Sequence, residues 1–266
     1  ALMSRGLGDV YKRQIICVHL NNDMYNKFKL SKNNEENVFI NPKHYNKKTF
    51  TMSLLAGHID NFNYVKNKDI TFKSFMFLAS NCHFCKQVQP IDNFVFPQLI
   101  DDNKLKTINR KENIVGHLNI MMKNKNMVKI LRNDNVKLFK YQIEGALLTY
   151  ELMNKIVKYI ENNKLLNLVT HETCFEELLL PSLEIYYQGK VSERCCKVFW
   201  GLPGYRPQKR HVDGFVISDD NKYCVKRVHR KVNDPIRKYI NCLRGDRGLV
   251  FEQENYFKGN EFILFN

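Results

Sequence analysis

The sequence lacks any apolar run long enough for a membrane. Its longest stretches resemble Phe75–Ala79, whereas a bilayer crossing needs about 20 apolar residues. It is poor in acid, with 27 Asp and Glu against 42 Lys and Arg, a formal charge of +15. Its eight cysteines, two of them adjacent at Cys195-Cys196, do not read as a secreted disulfide framework. Arg5, Lys12 and Arg13 flank no apolar stretch of signal-peptide length, so a reducing cytoplasm is the expected compartment. No Gly/Ser/Pro-rich linker and no internal repeat divides the chain, which argues for one domain. Neither G-x-G-x-x-G nor G-x-x-x-x-G-K-[ST] occurs, which removes the common dinucleotide and P-loop signatures. Asp-x-Asp is missing too; the nearest approaches are Asp101-Asp102 and Asp219-Asp220. With 44% apolar and 26% charged residues, the remainder describes an ordinary globular protein with surplus base.

Residues 1–14 (ALMSRGLGDVYKRQ) differ in texture from the rest of the chain and resemble translated adapter sequence, so the fold is read over 15–266. Ile15–Leu20 reads as a buried strand ended by the turn-forming Asn21-Asn22-Asp23, and Asn37–Asn41 as a second strand closed by Pro42. Leu54, Leu55, Ile59, Phe62 and Val65 recur at helical spacing and predict an amphipathic helix over 52–65. Phe75–Ala79 predicts a third strand. Strands and helix in this succession argue an α/β fold with a mostly parallel central sheet flanked by helices. Residues 103–140 offer no secure helix. A helix is predicted over 145–162 and another from about Phe175, its acids in the first turn. Gly201–Gly204 and Pro207 mark a loop. Strands are predicted over 214–218 and 222–228, then a basic helix from Pro235 to about Leu243.

Lys accounts for 30 of the 42 cations, in a chain dense in Asn, Ile, Tyr and Phe; codon bias on a solvated surface explains most of that. Arg is more informative. Eight of the 12 lie between Arg194 and Arg247, and guanidinium binds phosphate or carboxylate in bidentate fashion. Within that window Lys226-Arg227-Val228-His229-Arg230-Lys231 packs four cations and a His into six positions. Upstream, His171–Glu184 contains Glu172, Glu176, Glu177 and Glu184 and no Lys or Arg. A carboxylate able to deprotonate a hydroxyl, with cations further along able to stabilise a departing diphosphate, suits group transfer. The plainer alternative is a helix start that favours acids and a solvated strand end. Cys82-His83-Phe84-Cys85 has the spacing of paired zinc thiolates or of a redox pair, but no second pair matches it. Small residues closing a buried strand are the expected reading, and no metal is expected. Basic charge with 13 Tyr and 18 Phe also fits a single-stranded nucleic-acid-binding protein, although no nucleic-acid motif appears.

Several segments, in order, resemble the core-2 and I-branching β-1,6-N-acetylglucosaminyltransferases and their bacterial relatives. They are IICVHLNND (15–23), TFTMSLLAGHIDNFNYV (49–65), FMFLASNCHF (75–84), IEGALLTYELMNKIVKYI (143–160), EELLLPSL (176–183) and YCVKRVHRK (223–231). The resemblance implies a GT-A-type fold and an inverting glycosyltransferase with no metal and no cofactor. EELLLPSL is similar to the family's Asp-Glu-x-x-x-x-Thr-Leu stretch, which makes Glu177 the expected base, Glu176 the preceding acid and Ser182 the replacement for Thr. The late basic segment makes Lys226, Arg227 and Arg230 the expected diphosphate ligands. Glu144, just before Gly145, is the expected acceptor contact. The family's Asp after the small-residue turn is absent, with Cys82 or His83 in that neighbourhood. The implied partners are a nucleotide-sugar, with UDP the expected carrier, and an envelope or capsular glycan acceptor, free or lipid-linked. No nucleic acid is expected. A basic surface would suit peripheral contact with an anionic inner membrane.

Overall fold

Short apolar segments joined by longer helices make up the fold. The computed structural model describes residues 16–20, 22, 25–26, 38–44, 53–79, 81–86, 124–168, 176–199, 206–218, 222–231 and 233–246. In chain order they form β1 (Ile16–Val18), β2 (Val38–Ile40), α1 (Ser53–Lys66), β3 (Ser74–Met76), β4 (Cys82–Phe84), α2 (Lys125–Asn133), β5 (Leu147–Thr149) and α3 (Tyr150–Asn162). A 3-10 turn at Leu165–Leu168 comes next, then α4 (Glu176–Gln188), β6 (Cys196–Val198), α5 (Lys209–Ile217), β7 (Cys224–Lys226) and α6 (Pro235–Asp246). Residues 1–15, the Asn21 and Asp23 of the expected turn, His171, Glu172 and the Gly201–Gly204 loop lie outside the described residues.

The class is mixed α/β, but the strands form three small sheets. β1 pairs with β2 in parallel, β3 with β5 antiparallel, and β7 lies between antiparallel β4 and parallel β6. An Ala146–Arg194 bridge links the β3–β5 pair to the chain just before β6. The mostly parallel central sheet expected from the sequence is therefore not what the described residues form. A short apolar run signals burial and carries no information about direction, so parallel and antiparallel neighbours read alike.

The main core lies where α1, α3 and α4 meet β3 and β5. Phe62, Phe75, Leu148, Ile156, Ile160, Leu179 and Leu183 are all sealed from solvent there. The expected helix over 145–162 begins later than predicted. Leu147–Thr149 pairs with β3, and the Thr149 hydroxyl accepts the Leu152 N–H at 3.2 Å as the helix N-cap. The apolar run continues through both elements and hides the boundary. The predicted strand at 214–218 is corrected as well, because those residues are mostly the end of α5. Val212 and Phe215 are buried one helical step apart, and the Gln208 N–H donates to His211 Nδ1 at 3.0 Å where that helix begins. α2 leaves little trace in the basic 103–140 stretch because only Met127, Val128 and Leu131 of its nine residues are buried.

Candidate acid–base site at the start of α4

α4 opens with Glu176 and Glu177 and contains Pro181. Proline has no N–H to give to the carbonyl four residues back, which here belongs to Glu177. That carbonyl instead accepts the Tyr141 N–H at 3.0 Å. Ser182 fastens the same stretch of chain, accepting the Phe139 N–H at 2.9 Å and donating to the Leu178 carbonyl at 2.6 Å. The break in the helix thus ties residues 139–141 alongside the acidic turn, and Glu144 lies three residues further on.

Glycine is required at 145. Its φ is +78°, and a Cβ there would stand 2.3 Å from the Cys196 backbone nitrogen. Its N–H donates to the Phe77 carbonyl at 2.7 Å and its carbonyl accepts from Cys195 at 2.8 Å. Gln142 adds two side-chain bonds, to the carbonyls of Glu144 and Cys196, each 3.0 Å. Glu144 is therefore anchored beside β7, where Lys226 Nζ donates to its Oε1. This pair stays in reach of solvent, at 17% and 11% side-chain exposure for Lys226 and Glu144. Arg227 comes next in a left-handed backbone conformation, φ 79°, with its N–H and that of Val228 bound to the Asn81 carbonyl at 3.0 and 3.2 Å. A non-glycine residue held there is strained, and such strain tends to mark working parts of a protein.

The electrostatics make these groups one site. Burial pushes Glu176 up to about 8; Glu177 and Glu144 push the same way and Lys226 opposes them. Glu176 is 3% exposed and its Oε2 has no hydrogen-bond partner among the described residues. Glu177 is also raised, by burial and then by Glu144, against Lys140, Lys226 and Arg227. Burial lowers Lys226, but Glu144, with Cys82 and Cys196 adding in the same direction, outweighs it and the net shift is upward. Five sequence-predicted residues, Glu144, Glu176, Glu177, Lys226 and Arg227, thus come together. Arg230 lies further on, where its carbonyl accepts from Arg237 of α6 at 2.7 Å and burial lowers its basicity. Lys140, which moderates Glu177, is absent from the sequence-based set; nothing in its sequence context distinguishes it from other surface lysines.

Two other features of the sequence find their place. Arg194 opens the arginine-rich window, yet it serves an internal carboxylate. Its Nη2 donates to Glu184 Oε1 at 2.8 Å with both side chains sealed, and its Nε donates to the Gln142 carbonyl. Glu184, part of the acidic island in sequence, is therefore an anchor for the 142–145 segment. The Cys82/Cys85 spacing also dissolves in three dimensions, because a strand sends residues three apart to opposite faces. Cys82 joins the apolar cluster of Cys195, Cys196 and Cys224, and Cys85 that of Val212 and Ile240. Cys82 Sγ lies 3.8 Å from Cys196 Sγ. Among the described residues no three His, Cys, Asp or Glu side chains are grouped so as to hold a metal ion. None of the described helices is long and apolar enough to cross a membrane. No protein-family model, curated protein or solved structure matches the chain.

Proposed function

We propose that the chain is a metal-independent inverting glycosyltransferase that moves a sugar from a nucleotide-sugar, with UDP the favoured carrier, to a glycan hydroxyl. A GT-A-type core, a cytoplasmic location with peripheral inner-membrane contact, and a role in envelope or capsular polysaccharide synthesis belong to the same proposal. One observation carries it. The acidic turn of α4 and the end of β7, about 50 residues apart in sequence, meet around Glu144 so that carboxylates and cations share one partly exposed site. The ordered motifs of the sequence add to this, since no matched relative speaks for it.

In the mechanism the Glu177 carboxylate takes the proton from the acceptor hydroxyl. That oxygen bonds to the anomeric carbon as the bond from carbon to the diphosphate oxygen breaks on the opposite face. The electron pair leaves with the diphosphate, and Lys226 and Arg227, with Arg230 behind them, stabilise the charge. A carboxylate raised above its ordinary value by burial is a better base near neutral pH than a solvated one. Glu176, mostly protonated below pH 8, keeps a second negative charge away from the arriving sugar. Glu144 is the proposed acceptor contact.

Thermal shift in EDTA against UDP, GDP, CMP and their sugars, with a short oligonucleotide as comparator, tests the class. Stabilisation by one nucleotide supports the transferase; a salt-sensitive shift with the oligonucleotide alone supports the nucleic-acid-binding alternative. Glu177→Gln should retain nucleotide binding and lose roughly 10²–10⁴-fold in turnover. Unchanged turnover would remove Glu177 from the base role.

A further inference from the structure

We propose that Cys82 and Cys196 form an oxidisable thiol pair that hydrogen peroxide closes to a disulfide, and that closure displaces the basic turn at Arg227. Their sulfurs lie 3.8 Å apart, and glycosyl transfer makes no use of them. The sheet brings them together from β4 and β6, which flank β7. Cys82 stands opposite Lys226, and Cys196 opposite Cys224. Residues two apart on a strand share a face, so Cys82, Cys196, Cys224 and Lys226 all project to the same side. Cys82 is half-buried and within reach of a small oxidant, whereas Cys196 and Cys224 are sealed.

The surroundings make Cys82 the attacking sulfur. Burial raises its thiol, but hydrogen bonds from Cys196 and Cys224 and the charge of Lys226 outweigh that and hold it well below the ordinary range. Burial pushes Cys196 and Cys224 the other way. An accessible thiolate beside a second thiol is the arrangement that peroxide oxidises. The Cys82 sulfur attacks one peroxide oxygen, the O–O bond breaks, and the departing hydroxide takes a proton and leaves as water. Cys196 sulfur then attacks the sulfenic sulfur of Cys82. The S–O bond breaks as the S–S bond forms, and the hydroxyl leaves as a second water with the Cys196 proton. Two thiols lose two electrons and one peroxide gains them.

An S–S bond is about 2.05 Å long, so the sulfurs must approach by about 2 Å. Cys196 has little room to move, because its backbone packs against Gly145. β4 is a three-residue edge strand, paired among the described residues with β7 alone, and it gives instead. The Asn81 carbonyl, directly before Cys82, accepts the N–H groups of Arg227 and Val228 at 3.0 and 3.2 Å. Movement of β4 loosens these two bonds and the left-handed turn they hold. In a reducing compartment such a pair rests as thiols and closes transiently.

Peroxide treatment of the full chain, then acid quenching, alkylation of the remaining thiols and peptide mapping, tests the pair. The expected product joins the Cys82 and Cys196 peptides and reverts with dithiothreitol. Cys82→Ser should abolish the linkage, and Cys196→Ser should leave Cys82 as a sulfenic acid that a 1,3-diketone traps. Hydrogen exchange at the Arg227 and Val228 amides should speed up about tenfold on oxidation and recover on reduction. The mapping and the exchange both use the wild-type chain, so they stand even where a variant does not fold. The linkage with unchanged exchange would overturn the coupling to the turn. A bridge from Cys82 to Cys224, or oxidation of the exposed Cys242 that leaves Cys82 and Cys196 as thiols, would overturn the pair.

Discussion

Two ion pairs flank the same short segment, residues 142–145, and they are built to opposite specifications. Glu184–Arg194 is closed: side-chain exposures are 0% and 2%, and Glu184 Oε2 also accepts the Ser192 N–H at 2.7 Å. Arg194 further donates to the Ser192 and Gln142 carbonyls, and its guanidinium lies 5.1 Å from the Tyr141 ring centroid. Glu144–Lys226 keeps a little exposure, 11% and 17%, and stands among groups with displaced proton affinities and a Glu176 oxygen that has no partner among the described residues. A charge whose every hydrogen bond is met inside the protein has no capacity left for a ligand. A charge left partly exposed, beside a carboxyl kept neutral by burial, has that capacity. The closed pair fixes the segment from behind, and the open pair presents it.

The contrast would break most sharply at Arg194. Arg194→Met leaves the sealed Glu184 carboxylate unpaired, which typically costs about 3–5 kcal/mol. Denaturant melts should show that loss, whereas a loss under about 1 kcal/mol would mean the pair is not sealed.

Glu176 tests the open side through pH. Its carboxyl titrates near 8 when folded and near its ordinary value of 4.5 when unfolded. Between those values the folded state binds more protons than the unfolded state, so stability falls as pH rises through the window. Each unit of displacement corresponds to about 1.4 kcal/mol, and wild type should lose a few kcal/mol between about pH 5 and pH 8. Glu176→Gln should lack that component, and melts at both ends of the window would show whether the two curves differ in slope. Parallel curves would place Glu176 in contact with water.

Gly145→Ala sharpens the comparison from the segment between the pairs. The added methyl meets backbone, and the residue must hold a left-handed conformation, together about 2–3 kcal/mol. Denaturant melts should show that loss, and a variant as stable as wild type would show that the segment tolerates more slack than its hydrogen bonds suggest.

Much of this is legible in the sequence, and the gaps have definite causes. α1 and α3 are long enough for apolar residues to recur at helical spacing, so their period is visible, while α4 is marked by the acids of its first turn. β4 and β6 are three residues each, with a cysteine and a polar or charged residue among them, too short for any period. Residues 214–218 read as a strand because Phe215 and Val216 look like a short apolar run unless the helix start at Lys209 is seen first. At the candidate site, Glu176, Glu177, Lys226 and Arg227 stand out by clustering in charge along the chain. Lys140 does not, because its role depends on a neighbour 37 residues away, at Glu177.

By itself the sequence determined the longer helices α1, α3 and α4, the positions of the acidic turn and the basic strand end, and the glycine directly after Glu144. These depend on local spacing and residue chemistry. Tertiary structure alone decided strand direction, the partner of each charge, and which of two similar ion pairs is closed. Those depend on burial and distance between residues remote in sequence, and the free energy of a charge is set by the groups around it rather than by its place in the chain.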